Sequence, residues 1–181
     1  MLKRLALAAS LAAALAGCDR GPPSPEAFAR HAPALTGRVV DQAQLLAPAD
    51  EQALAAQSAA IERETGAQFV VVTLASLEGR SIEDYSVRLG RRWGIGRKGV
   101  DDGLMLVVAP AERKVRIEVG YGLEKRVTDP FAAKVIREQL VPRFKEGRFA
   151  EGVRAGSDAL AARLRSRMSD AQIARLDGAA T

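Results

Sequence analysis

The chain has 181 residues, 48% of them hydrophobic but only 4% aromatic, which suffices for one domain whose core is filled by aliphatic side chains. Its formal charge of +5, from 27 basic and 22 acidic residues, is small, scattered and not interleaved with stacking aromatics, which argues against nucleic acid as a partner. One His and one Cys exclude an intramolecular disulfide, a catalytic His pair and a His-based zinc site.

Residues 1–17 read as a signal peptide. Lys3 and Arg4 give a positive start, and Leu5 to Leu15 form an apolar stretch too short to span a bilayer as a finished helix. The stretch ends in Leu15-Ala16-Gly17-Cys18, which resembles a bacterial lipobox. That resemblance implies cleavage before Cys18, lipidation of Cys18 (palmitate among the acyl groups) and attachment to the cell-envelope membrane, since several acyl chains anchor stably. Asp19 after the Cys resembles an inner-membrane retention signal. The expected location is therefore the periplasmic side of the inner membrane, with the outer membrane as the alternative.

Residues 18–37 are rich in Pro and Gly and read as a flexible tether, with His31 a solvated linker residue. Arg38-Val39-Val40-Asp41 begins the folded domain. Pro48-Ala49-Asp50-Glu51 starts a helix that runs to about Thr65, with Leu54, Ser58 and Ile61 on one face, and stops at Gly66. Gln68 to Ala75 is a buried strand. Ser81 caps a helix whose Ile82, Tyr85, Leu89 and Trp93 recur at helical spacing and pack into the core.

Leu104 to Ala109 is apolar on both faces, and Val115 to Val119 alternates. This is the pattern of a central strand and a half-buried antiparallel neighbour joined by a turn at Pro110. The loop before the first, Asp101-Asp102-Gly103, must then meet the loop after the second, Gly120-Tyr121-Gly122, at one edge of the sheet. Asp129-Pro130 opens a helix, with Asp129 read as the N-cap, that Gly147 ends. A further helix covers about Phe149 to Arg165, and residues 166–181 form a short helix around Ile173 and Leu176 before a tail. Helices before, between and after three strands define an α/β fold, a three-layer αβα sandwich with helices on both faces of a small mixed sheet.

The chain has no G-x-S-x-G elbow, H-E-x-x-H pair or P-loop, and no Cys outside the lipobox. Gly94-Ile95-Gly96 with Gly99 follows a helix rather than a strand and is not a dinucleotide site. Asp41, Asp101, Asp102 and Asp129 each lie at the mouth of an element. By spacing they fit two readings equally: a hard-cation site for Ca²⁺ or Mg²⁺, or solvated turns with a helix cap.

Several segments together carry a family resemblance. They are Val39-Val40-Asp41 with Leu45-Leu46, the strand at Gln68 to Ala75, Trp93-Gly94-Ile95-Gly96, Asp102-Gly103-Leu104-Met105-Leu106-Val107-Val108-Ala109, Val119-Gly120-Tyr121-Gly122-Leu123-Glu124 and Thr128-Asp129. They resemble the TPM domain, over residues 38–165. The resemblance implies an αβα fold, an acidic loop edge that holds a divalent cation, and a phosphatase activity. Carried over by position, the metal ligands are Asp41, Asp102 and Asp129. The family often has Asn where this chain has Asp102. Asp101, Gly103, Gly120, Tyr121, Gly122 and Glu124 would complete the loop-edge binding surface.

Two functions follow. The first is a non-catalytic envelope module, tethered through Cys18, that binds a divalent cation at its loop edge and assists a membrane-protein partner in repair, assembly or modulation. The second is a metal-assisted phosphatase for phosphate monoesters, with Arg97, Lys98 or Arg126 offsetting phosphate charge. The first is favoured, because no committed nucleophile or tuned acid/base pair is visible.

Overall fold

The computed structural model describes Phe28 and residues 31–178. The signal peptide, the lipobox and Cys18 lie outside the described residues. The sheet has four strands in the order β1 (Val39–Asp41), β2 (Gln68–Thr73), β3 (Gly103–Ala109), β4 (Lys114–Val119). The first three are parallel, and β4 returns antiparallel to β3. Sequence patterning anticipated the last three. β1 has three residues, too few to show any periodicity, and is defined by its pairing with Val71–Thr73.

β3 is the centre of the molecule, with all seven residues buried. Leu104, Leu106 and Val108 point to one face and Met105, Val107 and Ala109 to the other, as strand alternation requires. The first face is covered by α1 (Pro48–Thr65) and α5 (Phe149–Arg165), through Leu54, Ile61, Val153 and Leu160. The second is covered by α2 (Ile82–Trp93), whose Ile82, Tyr85 and Leu89 are buried as their spacing implied. These are the three layers of the expected αβα sandwich.

Helix ends follow local chemistry. Pro48 sits in the first turn of α1, and Gly66 closes it at φ 80°, donating to the Glu62 carbonyl at 2.9 Å. Ser81 Oγ accepts from the Asp84 N–H and caps α2. The helix expected from Asp129 to Gly147 is interrupted. It runs as α3 (Asp129–Val135), a π turn (Ile136–Leu140) and α4 (Val141–Lys145), where Pro142 cannot supply the N–H that a regular helix needs. Its N-cap is Thr128, not Asp129. The Thr128 hydroxyl accepts from the Phe131 N–H, and Asp129 takes the first helical position, beside the positive end of the dipole.

The final helix, α6 (Asp170–Gly178), buries Ile173 completely and leaves Leu176 exposed. Arg163 forks onto the Asp177 carboxylate at 2.9 and 3.1 Å, and the Thr128 hydroxyl donates to the same carboxylate. The Arg163 guanidinium also lies 3.7 Å from the Phe131 ring centroid.

Segment 18–37 is not all tether. Phe28 is buried edge-on against Tyr85 at 5.0 Å, and Trp93 Nε1 donates to the Pro33 carbonyl at 2.9 Å. The packed unit therefore begins before Arg38, because α2 offers an aromatic seat and the turn before it a cationic one, with Arg80 5.4 Å from the Phe28 ring centroid. No described helix is long and apolar enough to cross a membrane.

Candidate functional site

The antiparallel pairing of β3 and β4 brings two loops together. Gly120 N donates to the Gly103 carbonyl at 2.8 Å and Gly122 N to the Asp101 carbonyl at 3.0 Å. Gly120 and Gly122 are glycines for steric reasons. A Cβ on the first would overlap the Asp101 carbonyl oxygen, and one on the second the Val100 carbonyl oxygen, both well inside 3.0 Å. Between them, Tyr121 opens a short 3₁₀ turn and stands 81% exposed, with Val100 on the adjoining loop 48% exposed. Asp101 holds φ at 54°, an uncommon value for a residue with a Cβ. The rim is thus stiff in its backbone and apolar at its crest.

Below the crest lies a cleft of about 390 Å³ between α2, β4 and the rim. Asp101, Gly103, Gly120, Tyr121, Glu124 and Asp129, all expected on the loop edge or as ligands, line it. So do Arg91, Arg116 and Glu118, which the sequence reading did not single out. The signal for the last two was present. The alternation of Val115, Ile117 and Val119 into the core leaves Arg116 and Glu118 together on the opposite face. Arg116 Nε donates to Glu118 at 2.6 Å, so that pair neutralises itself. Asp101, Glu124, Asp129 and Arg91 enter no ion pair among the described residues, which leaves the cleft with an excess of negative charge.

The three carboxylates assigned to a metal do not converge. Asp41 ends β1 beside Thr73, whereas Asp102 precedes β3 beside the start of β2. Those are opposite ends of parallel strands, separated along the strand direction by six residue steps or about 20 Å. Asp41 is also fully engaged. Its two oxygens accept from Leu45 N at 3.1 Å, Leu46 N at 2.8 Å and the Thr73 hydroxyl, tying the chain entering α1 to the sheet.

Asp102 is at the correct end but turned inward, 5% exposed. Arg97 encloses it, donating its backbone N–H at 2.8 Å and Nε at 2.7 Å and contributing a second guanidinium nitrogen. Burial pushes the Asp102 carboxyl up, but the hydrogen bonds and charge of Arg97 outweigh burial and hold it below the usual carboxylate range. Asp129 alone of the three lines the cleft.

Among the described residues, no three Asp, Glu, His or Cys side chains gather as a metal group would require. The donor set inferred for Ca²⁺ or Mg²⁺ therefore does not fit this geometry, because one member is at the far end of the sheet and another is closed by an arginine. Two of the three basic residues considered for phosphate are committed elsewhere. Arg97 holds Asp102, and Arg126 donates to the Ser166 and Met168 carbonyls at 2.8 and 2.9 Å.

The sheet order, the two helical layers and the stiff glycine rim define a small αβα domain that presents a preformed loop edge from the amino ends of its parallel strands. The chain belongs to the TPM domain family, whose model matches residues 39–163. It is 36% identical to the N-terminal domain of a P. gingivalis protein, with a TM-score of 0.67, covering 71% of this chain and 82% of that one. Two further solved structures share the fold. One is the N-terminal domain of a Corynebacterium glutamicum protein (18% identity, TM-score 0.58, 77% of this chain and 88% of that one). The other is a protein of the psychrophilic bacterium Bizionia argentinensis (20% identity, TM-score 0.57, 66% and 81%). No curated protein matches the chain.

Proposed function

We propose that this TPM domain is a non-catalytic docking module of the bacterial envelope that binds a partner protein at the rim carrying Val100 and Tyr121. The observation that carries this reading is Tyr121, 81% exposed on a turn whose neighbours Gly120 and Gly122 admit no side chain. An exposed tyrosine on a backbone that is already ordered contacts a partner at small entropic cost, and Tyr is enriched among the residues that dominate interfaces. The cleft beneath it, with Asp101, Glu124 and Asp129, suits a basic side chain of that partner.

In this reading the membrane tether is the lipid on Cys18. The partner is accordingly a membrane protein, assisted in assembly or repair. A phosphatase reading would need a cation held by Asp41, Asp102 and Asp129, and the donor geometry gives it no support.

The test is site-specific photo-crosslinking in the native envelope. A benzophenone side chain at position 121 is expected to give a discrete membrane-protein adduct that disappears when Asp101 and Asp129 are both replaced by Lys. An adduct of equal yield from a benzophenone at the exposed Leu176, or none from position 121, would reject the rim as the docking surface. A calcium and magnesium titration of the full chain, followed at Asp101, Glu124 and Asp129 by chemical shift, separately asks whether a cation enters the cleft.

A further inference from the structure

A second cavity lies at the opposite end of β3 and β4 from the rim. It is a groove of about 510 Å³ between the turn that joins the two strands and the elbow between α4 and α5. Its walls are apolar, from Val115, Val141, Phe144 and Phe149, and Arg113, Lys114 and Lys145 also line it. Among the described residues no carboxylate does. The nearby acids are turned to other work. Glu112 accepts from Leu77 N at 2.8 Å and the Ser76 hydroxyl at 3.0 Å, and Glu146 is paired with Arg148. Arg113 and Lys145 are in no ion pair among the described residues, while Lys114 adds a small share to lowering the Glu83 carboxyl on the α2 side, which a backbone N–H hydrogen bond lowers first and Ser81 and Arg116 lower further.

The groove is built into the fold. The π turn Ile136–Leu140 directly precedes α4 and sets the direction in which Val141 and Phe144 leave the helix. Phe144 fits against Gly152, where a Cβ would come within 2.6 Å of its Cε1, and packs on Phe149 with ring centroids 5.1 Å apart. The volume is that of a small-ligand pocket. Its chemistry is divided between an apolar trough and cations, which is complementary to a molecule with an apolar body and one anionic end. A guanidinium presents a planar fork that matches a carboxylate.

We propose that this groove binds a single-chain fatty carboxylate as a free monomer, the acyl chain along Val115, Val141, Phe144 and Phe149 and the carboxylate at Arg113 and Lys145. The site is separate from the rim, and nothing in the docking role requires it.

The test is titration of the full chain with dodecanoate below its aggregation threshold, followed by chemical shifts at those four apolar residues, in parallel with the methyl ester of the same acid. Saturable shifts confined to the groove are expected, with the ester binding at least ten-fold more weakly. The exposed double substitution Arg113→Gln, Lys145→Gln is expected to lower dodecanoate affinity to the level of the ester. Equal binding of acid and ester, or no response to dodecanoate, would overturn the proposal. So would a response only to phosphatidylglycerol vesicles, which would make the groove a membrane-surface contact.

Discussion

Gly122 and Val100 lie so close that the α-carbon of one leaves no room for a side chain beneath the carbonyl oxygen of the other. The contact welds the loop before β3 to the loop after β4, and so fixes the crest on which Tyr121 stands. Gly122→Ala is expected to destabilise the domain by about 2 kcal/mol or more, because two backbones rather than a flexible side chain must separate. Gly37→Ala, with nothing within 4 Å, is expected to change stability by no more than about 0.5 kcal/mol. Urea unfolding of both variants checks the contrast.

Tyr121→Ala removes a side chain that is mostly in solvent, so its effect on urea unfolding is expected to stay within about 0.5 kcal/mol. Loss, in the Tyr121→Ala variant, of the adduct formed from a benzophenone at the neighbouring exposed position 100, with stability intact, would separate recognition from folding. A large loss of stability would mean that the tyrosine supports the rim rather than a partner.

Asp41→Ala removes the acceptor for three donors at the carboxyl end of β1. Leaving Leu45 N, Leu46 N and the Thr73 hydroxyl without it is expected to cost about 2–4 kcal/mol. Chemical shifts at Asp101 and Tyr121, at the other end of the sheet, are expected not to move. A perturbation there equal to that at Thr73 would show that the two ends communicate.

The Asp102 carboxyl is held below its ordinary 3.8 in the folded protein. The unfolded chain therefore binds more protons in the acidic range, and stability rises with pH there. The contribution is fully present above the ordinary value and is lost as pH falls through the lower native one. Asp102→Asn keeps an acceptor for the Arg97 N–H but lacks the charge. It is expected to flatten the acid limb of the stability–pH curve while costing about 1–2 kcal/mol near neutral pH. Denaturant titrations at several pH values measure both effects.

Asp177 joins α6 to Arg163 and to Thr128, which itself caps α3. Asp177→Ala is expected to release α6, seen as faster amide exchange over residues 170–178, with a smaller increase at the start of α3. Unchanged exchange at Phe131 would show that the cap holds without its partner.

The layers were legible in the sequence because hydrophobic period is a local property. Leu104–Ala109 reads as a central strand, and Ile82, Tyr85 and Leu89 as one helical face, without knowledge of the neighbours. The meeting of Gly103 with Gly120 was equally accessible, since a tight turn forces antiparallel pairing. Asp41 was misplaced because strand direction depends on a crossover. A parallel β1 carries its last residue to the end remote from Asp102, and three residues give no periodic hint of it. Asp102 was misread because nothing in local spacing shows that Arg97 folds back over it. Phe28 looked like part of a proline-rich linker because its seat on Tyr85 and Arg80 is supplied from more than 50 residues away.

The tight return from β3 into β4 has a wider implication. Open α/β sheets ordinarily receive ligands in a crevice past the carboxyl ends of their strands. Here part of that end is taken up by its own chain, Asp41 answering Thr73 and Glu112 answering Ser76 and Leu77, and what stays open is the groove beside the β3–β4 turn. Reversing a single strand adds a second face at the amino ends, so that the proposed protein docking and the proposed carboxylate groove lie at opposite poles of the sheet. An engineered graft at the amino-end rim should be confined to the exposed crest positions Val100 and Tyr121, leaving Gly120, Gly122 and the polar stitching of the opposite pole in place.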